Sequence, residues 1–311
     1  YMFSGAGNAN PDTSLWVLGS ITTMEKIFNN SGISTENYTN FLIRAESTPG
    51  LNDIDIGTSP AKYYAIASSA RDALIDNSRG WTIADDDISP DFVSVWQTTE
   101  IDKVITIPMV NLDSEGAAFT YDYTIDWGDG SDSTDVTSYN DVDATHTYAE
   151  AGEYTIIISA SDTTAGTMET IRCFGADDKD NLLSIPNLGD MGWTSFDSAF
   201  YGCSNLVEMY GGDTSNVNSM RMMFHSATNA DPDTSLWNVS SVTNMSSIFS
   251  GSAISDDNYS NFLIMAEDTS EQTDIDIGTV PAYYNSGDAA TARQSLIDLD
   301  WDLTEDEGEV P

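Results

Sequence analysis

Aspartate is the residue with which this chain could do most chemistry. Three clusters stand out: Asp85-Asp86-Asp87, Asp126 with Asp129 and Asp132, and Asp177-Asp178 with Asp180. Calcium takes about six to eight oxygen ligands, and aspartate-rich loops supply them. None of the clusters has EF-hand spacing, and acidic loops also serve simply to keep a surface hydrated, so both readings stand. Asp129 carries a third reading, since a turn aspartate can bond the backbone amides of its own turn. Asp274 and Asp276 form a carboxylate pair of the type used in glycoside hydrolysis. Alternation along Asp274–Ile277 instead puts both on the outer face of a strand, where solvation accounts for them. The two histidines, His146 and His225, are far apart in sequence and read as structural. No Ser-His-Asp arrangement, phosphate-binding glycine loop or zinc-ligand spacing occurs. No catalytic residue and no cofactor other than calcium is expected.

Cys173 and Cys203 are the only cysteines. They are either a disulfide between neighbouring domains in an oxidising compartment or two small buried hydrophobes. Asn29, Asn37, Asn238, Asn244 and Asn258 each begin an N-glycosylation triplet, but Asn238 and Asn244 lie inside a repeated motif, where asparagine reads as structural. Glycans are not part of the expectation.

Composition narrows the partners. The chain of 311 residues carries 51 acidic and 10 basic side chains, a formal charge of −41. Such a surface repels nucleic acid and anionic membranes. Hydrophobic residues make up 40% of the chain, enough to bury a core despite the charge. No run of eighteen apolar residues is present, so no membrane insertion is expected in this segment.

The elements that must position these residues follow from an internal repeat. Residues 2–61 laid on 223–282 agree at 36 of 60 positions, an offset of 221. The match resumes with Ala70–Asp76 against Ala292–Asp298, and Trp81 against Trp301. Repeats at fixed offset must be settled before a fold is assigned. Tyr1 answers Met222, in the middle of a motif, and Pro311 answers Pro90. The expectation is a segment of a longer tandem array.

Within the repeat, Ser34 caps a predicted helix to Glu46, with Tyr38, Phe41, Leu42 and Ala45 on one face. The copy repeats this from Ser255, with Tyr259, Phe262, Leu263 and Ala266. A short strand at Asp53–Gly57, a helix over about 67–76 and a strand holding Trp81 and Ile83 complete the unit. From Phe92 the period becomes two. Ile105 and Ile107, then Phe119, Tyr121, Tyr123, Ile125 and Trp127, then Tyr154, Ile156 and Ile158 predict strands with one buried face. Gly128-Asp129-Gly130 turns the chain. Farther on, Phe200, Phe224 and Phe249 recur at 24 and 25 residues, each closing a short segment. Strand-like runs such as Leu206–Tyr210 and Leu236–Val239 follow, predicting one strand and one short helix per repeat.

Two resemblances cover nearly all of the chain. WGDGS at 127–131 with HTYAEAGEYTI at 146–156 resembles the PKD domain, an immunoglobulin-like β-sandwich of extracellular proteins, over about 92–174. GCSNL at 202–206 and WNVSSVTNMSSIF at 237–249 resemble the BspA-like, DUF285-type surface repeats, and residues 1–88 join that family through their copy. The implied fold is mixed α and β, a PKD-like antiparallel β-sandwich alternating with an irregular leucine-rich-repeat-like α/β solenoid. The implied domains are 1–88, the C-terminal part of a repeat domain; 89–175, the sandwich; 176–304, the second repeat domain with its closing helices and strand; and 305–311, a linker to a further unit. The resemblance implies a non-enzymatic extracellular or cell-surface protein, adhesive or structural. Its partners would be other copies of itself in an array or fibre, and cell-surface or matrix glycans or proteins. A carbohydrate-binding or accessory module of a secreted enzyme is the alternative.

The charge sets a first test. At −41 the folded chain repels itself, and screening or bound cations should relieve that. Thermal midpoints are expected to rise from low to high salt, or on adding calcium with reversal by chelator. A midpoint that ignores all three conditions rejects salt adaptation and ion binding together.

Overall fold

The computed structural model describes residues 2–21, 23–58, 61–76, 79–84, 87–113, 115–161, 168–270 and 272–310. The architecture mixes α and β, with sheets and turn-rich coils outweighing a few helices. The chain divides into two compact units, Tyr1–Ser89 and Pro90–Pro311. Among the described residues no helix is long and apolar enough to cross a membrane.

The first unit is built around helix α1, Thr35–Glu46. Ser34 begins it as the sequence predicts, its side chain accepting from the Asn37 N–H. Tyr38, Phe41, Leu42 and Ala45 are buried on one face. They pack on Phe28, whose ring meets Phe41 edge-on at 4.8 Å. Strand β1, Asp55–Thr58, pairs in parallel with β2, Thr82–Ala84. Between them a short 3-10 turn at Ala65–Ala67 leads into α2, Ser68–Ile75. Trp81 is buried and its indole N–H donates to the Leu51 carbonyl (2.9 Å).

The second unit opens with an antiparallel layer. Its strands are β3 (Phe92–Thr98), β4 (Lys103–Thr106), β5 (Tyr123–Asp126), β6 (Thr134–Val136), β7 (Thr145–Tyr148), β8 (Gly152–Ala160), β9 (Leu182–Asn187) and β10 (Glu208–Met209). One six-stranded sheet runs β10-β9-β3-β8-β5-β6, and β4 pairs separately with β7. Both sheets feed one core: Ile105 and Tyr148 from the pair, Trp96, Ile125, Trp127 and Ile158 from the larger sheet. The alternation from Tyr121 to Trp127 is buried on one face as predicted. The strand itself is shorter, because Tyr121 bridges Met168 instead of β8 and Phe119 bonds back to Asn111 around a hairpin. Strand β9 joins β3 antiparallel on one side and β10 parallel on the other. The region read as a sandwich and the region read as repeats therefore share a sheet.

Beyond β9 the chain stacks as coils. Phe196, Ser198, Phe200 and Gly202 donate their N–H groups to the carbonyls of Ser219, Arg221, Met223 and His225. Met220, Met222, Phe224 and Ser226 donate in turn to Asn244, Ser246, Ile248 and Ser250. The expected short helices are absent from these segments. Ser198, Met222 and Ser247, each two residues before a phenylalanine, sit at φ +58°, +53° and +59°. A left-handed residue interrupts the i→i+4 pattern and turns the amides toward the neighbouring coil. Lys26, two residues before Phe28, has φ +51° in the first unit, where Phe3 and Gly5 donate to Ile27 and Asn29. The rings of Phe200, Phe224 and Phe249 stack down the interior at 5.5 and 6.2 Å. On the other side only β10 is strand, and Leu236 lies in a turn.

Helices α3, Asp256–Thr269, and α4, Asp288–Asp298, close the stack. Ser255 caps α3 through the Asn258 N–H, matching Ser34 and Asn37. The last coil is pinned by Asp306, only 3% exposed at its side chain. It accepts from Arg293 Nε (2.7 Å) and Nη2 (3.0 Å) and from the Tyr259 hydroxyl (3.0 Å).

Buried threonines tie coil to coil. Thr214 donates to the Asn238 carbonyl (2.8 Å) and accepts from the Asn238 N–H (2.7 Å). Thr214→Val keeps the shape and removes both bonds, which should cost about 1–3 kcal/mol. Urea unfolding should show a lower midpoint at unchanged slope, with Thr214→Ser retaining much of the difference. A valine variant as stable as the parent would refute the staple.

Candidate functional site

The WGDG turn is the densest gathering of polar and aromatic groups that the sequence singled out. It leaves β5 at Trp127, whose side chain is buried while Asp126 and Asp129 face outward. Gly128 holds φ +75°, and a Cβ there would fall 2.2 Å from the Thr155 carbonyl oxygen. Only glycine lets the turn lie this close to β8. Asp126 Oδ1 accepts from the Gly128 N–H (2.9 Å), and Asp129 Oδ1 from the Ser131 N–H (3.0 Å). Asp129 Oδ2 meets His146 Nε2 on β7 at 2.8 Å. The imidazole stacks on Trp127 at 5.1 Å and meets Tyr148 edge-on at 4.7 Å. Tyr148 donates to the Trp127 carbonyl (2.8 Å) and stacks on Tyr154 at 4.0 Å.

This arrangement holds a turn. Partial burial opposes charge on Asp129, but the hydrogen bonds from Ser131 and His146 and the neighbouring imidazole outweigh it and hold the carboxyl at about 2. Among the described residues no hydroxyl or thiol is hydrogen-bonded to the other imidazole nitrogen. His225 is elsewhere, stacked on Tyr201 at 4.9 Å with Nδ1 against Ser226 Oγ.

The structure does not gather the remaining aspartates. Asp132 is exposed on the same loop. Asp178 is engaged by Lys103 Nζ (2.7 Å) and the Thr106 N–H (3.2 Å), joining β4 to the segment before β9. Asp180 accepts from Ser204 N–H and hydroxyl (3.2 and 2.7 Å) and from Lys179 (3.2 Å). Burial works against its charge, and the Ser204 bonds lead in lowering its pKa. Asp177 is exposed beside them. Asp85 and Asp86 lie outside the described residues. Among the described residues no three His, Cys, Asp or Glu side chains are placed to hold a metal ion. Asp274 and Asp276 point outward on either side of buried Ile275, and Asp276 accepts from the Gly278 N–H (2.7 Å). Cys173 and Cys203 are free thiols, both buried.

Two features escaped the sequence reading. One is the triplet Asp-Thr-Ser at 12–14, 213–215 and 233–235. In each, the aspartate accepts from the serine N–H at 2.9 Å, and the buried threonine donates to a carbonyl 24 residues on. The repetition itself was the available signal. Asn238 and Asn244 make the same local bond, to Ser240 and Ser246. The other is a groove of about 460 Å³ lined by Pro108, Tyr139, Val142, Arg172 and Phe174 among others. Phe174, Tyr139 and Val142 are 54%, 41% and 80% exposed. Arg172 lies over Phe174 at 5.8 Å, with its Nε buried and without a hydrogen-bond partner. Nothing in the spacing of these residues announces the groove.

The lowered Asp129 pKa makes a signed prediction. A depressed carboxylate contributes stability that is present above its ordinary value of 3.8 and lost as pH falls to about 2. Asp129→Asn should be less stable than the parent near neutral pH, and the gap should close between those two values. A gap constant down to pH 2 would show that the charge is not what matters.

A family model described as a Mycoplasma protein of unknown function, DUF285, matches residues 1–45 and 194–274. These segments fall in the two regions read as repeats and leave residues 46–193, strands β3 to β9 among them, unmatched. No curated protein and no solved structure matches the chain.

Proposed function

We propose that the chain is a non-enzymatic extracellular protein, an adhesive or structural tandem-repeat element of a cell surface or fibre. On this reading the layer over 92–174 is a PKD-like sandwich, and the coils form an irregular leucine-rich-repeat-like α/β solenoid. Its partners are other copies of itself and surface or matrix glycans or proteins. The observation that carries the reading is the coil ladder. Backbone N–H groups at alternate positions donate to the next coil, as Phe200 does to Met223 and Phe224 does to Ile248. A stack of this type lengthens by adding coils and gains stability from neighbour contacts, which suits a rigid spacer. The polar groups support the same reading, since the aspartates and threonines described above spend their bonds on turns and coils. Repeated weak contacts along such an array would add up through avidity.

The groove at Phe174 favours a second reading, a carbohydrate-binding or accessory module. Exposed aromatic rings beside an arginine lacking an acceptor offer a stacking face and a donor to a sugar.

Electron microscopy of native material beside a hydrolase and glycan-binding screen separates the two. Rods or filaments without turnover are expected. Compact isolated particles with turnover, or glycan binding lost in Phe174→Ala, would favour the module instead.

A further inference from the structure

The two cysteines are 30 residues apart in sequence, yet the fold of the second unit brings them together. Cys173 lies on the segment that follows the Tyr121–Met168 bridge, and its N–H donates to the Ala199 carbonyl (2.7 Å). Cys203 ends the first coil turn, and its N–H donates to the Phe200 carbonyl (3.2 Å). The two backbones are thus anchored at adjacent residues of one turn. Their side chains lie in one core with no solvent exposure, and the Cys173 thiol is near enough to Cys203 to push its pKa upward.

Few uses remain for such a pair. A thiol is a weak donor and a weak acceptor, so the contact contributes little as a hydrogen bond. Among the described residues no further ligand converges on it to make a metal site. The Cys173 sulfur and burial both push the Cys203 thiol strongly upward, so it is no nucleophile in the folded chain.

We propose that Cys173 and Cys203 form a disulfide when the chain folds in an oxidising medium, tying the segment that leaves the antiparallel layer to the first coil of the stack. Each thiol gives up one proton and one electron, and one S–S bond forms. The oxidant is an external disulfide, whose own S–S bond breaks as it takes up those two electrons and two protons and leaves as two thiols. Exchange runs through a mixed disulfide, so it must precede closure of the core. A crosslink closing a loop of this length restricts the unfolded chain and should raise the thermal midpoint by about 10 °C. The inference is independent of the proposed function.

The test refolds the full chain from denaturant in a reduced and oxidised glutathione buffer, with a parallel arm in dithiothreitol. In the glutathione arm the intact chain should be lighter by two hydrogen atoms. It should resist maleimide labelling in denaturant and melt about 10 °C above the dithiothreitol arm. Cys173→Ala/Cys203→Ala keeps the site apolar and should fold in both arms with no gap between them. Recovery of the dithiol mass with both cysteines labelled would overturn the proposal. So would glutathione adducts or crosslinks between chains in place of the internal bond.

Discussion

A coil of this protein cannot satisfy its own backbone. In an α-helix each N–H finds a carbonyl four residues back. At Ser198, Met222 and Ser247 the left-handed backbone forbids that, and the amides on alternate residues point sideways. In the coils of Ser198 and Met222 they find carbonyls 23 or 24 residues farther on, in the next coil. Buried N–H groups must be paired, so the spacing of the repeat is set by the contour of one coil. The phenylalanines at 200, 224 and 249 then fall above one another because the ladder places them there. The threonines at 214 and 234 are buried for the same reason: their hydroxyls reach backbone groups that the ladder leaves over.

A ladder has two ends, and each exposes unpaired amides and carbonyls. The second unit deals with one end by pairing β9 with β3, which converts a parallel stack into an antiparallel sheet. Asn187 on β9 adds a side-chain bond to the Asp91 carbonyl at 2.6 Å. At the other side α3 and α4 pack over the stack, and the buried Asp306 is satisfied by Arg293 and Tyr259. Arg293 also donates to the Leu303 carbonyl (2.8 Å) and lies over Tyr284 at 5.1 Å. Truncating one partner of such a cluster would strand a buried charge, so the three side chains act as a set.

The parts legible in the sequence were those written in local chemistry. Serine caps at Ser34 and Ser255, the buried face of α1, and the alternation from Tyr121 to Trp127 each follow from residues within a few positions of one another. The glycine turn at Gly128 was legible for the same reason. What was not legible depends on distant partners. Nothing near Ser198 or Met222 announces a left-handed residue, because the reward for it lies in a coil more than twenty residues away. The short-helix expectation failed there for that reason, and the Phe119 end of the strand failed because Tyr121 found Met168. The Asp129 contact with His146 crosses 17 residues, and none of the three sequence readings of Asp129 includes it; the one the hydrogen bonds bear on is that Asp129 bonds its own turn. It does both.

The local bonds also separate what the fold needs from what the surface adds. Asp213 and Asp233 accept from the amide two residues on, and Asn238 and Asn244 do the same at 2.9 and 3.1 Å. An uncharged oxygen therefore suffices to make the turn. Serine and threonine donors hold the exposed Asp12 and Asp302 below the usual carboxylate range, through Ser14 and Thr304. That lowering keeps them charged over a wider range but adds no contact that asparagine would lack. Where the chain uses aspartate in place of asparagine at these turns, the ionised acceptor strengthens the same local bond. The negative charge acts as well through the field of the whole surface.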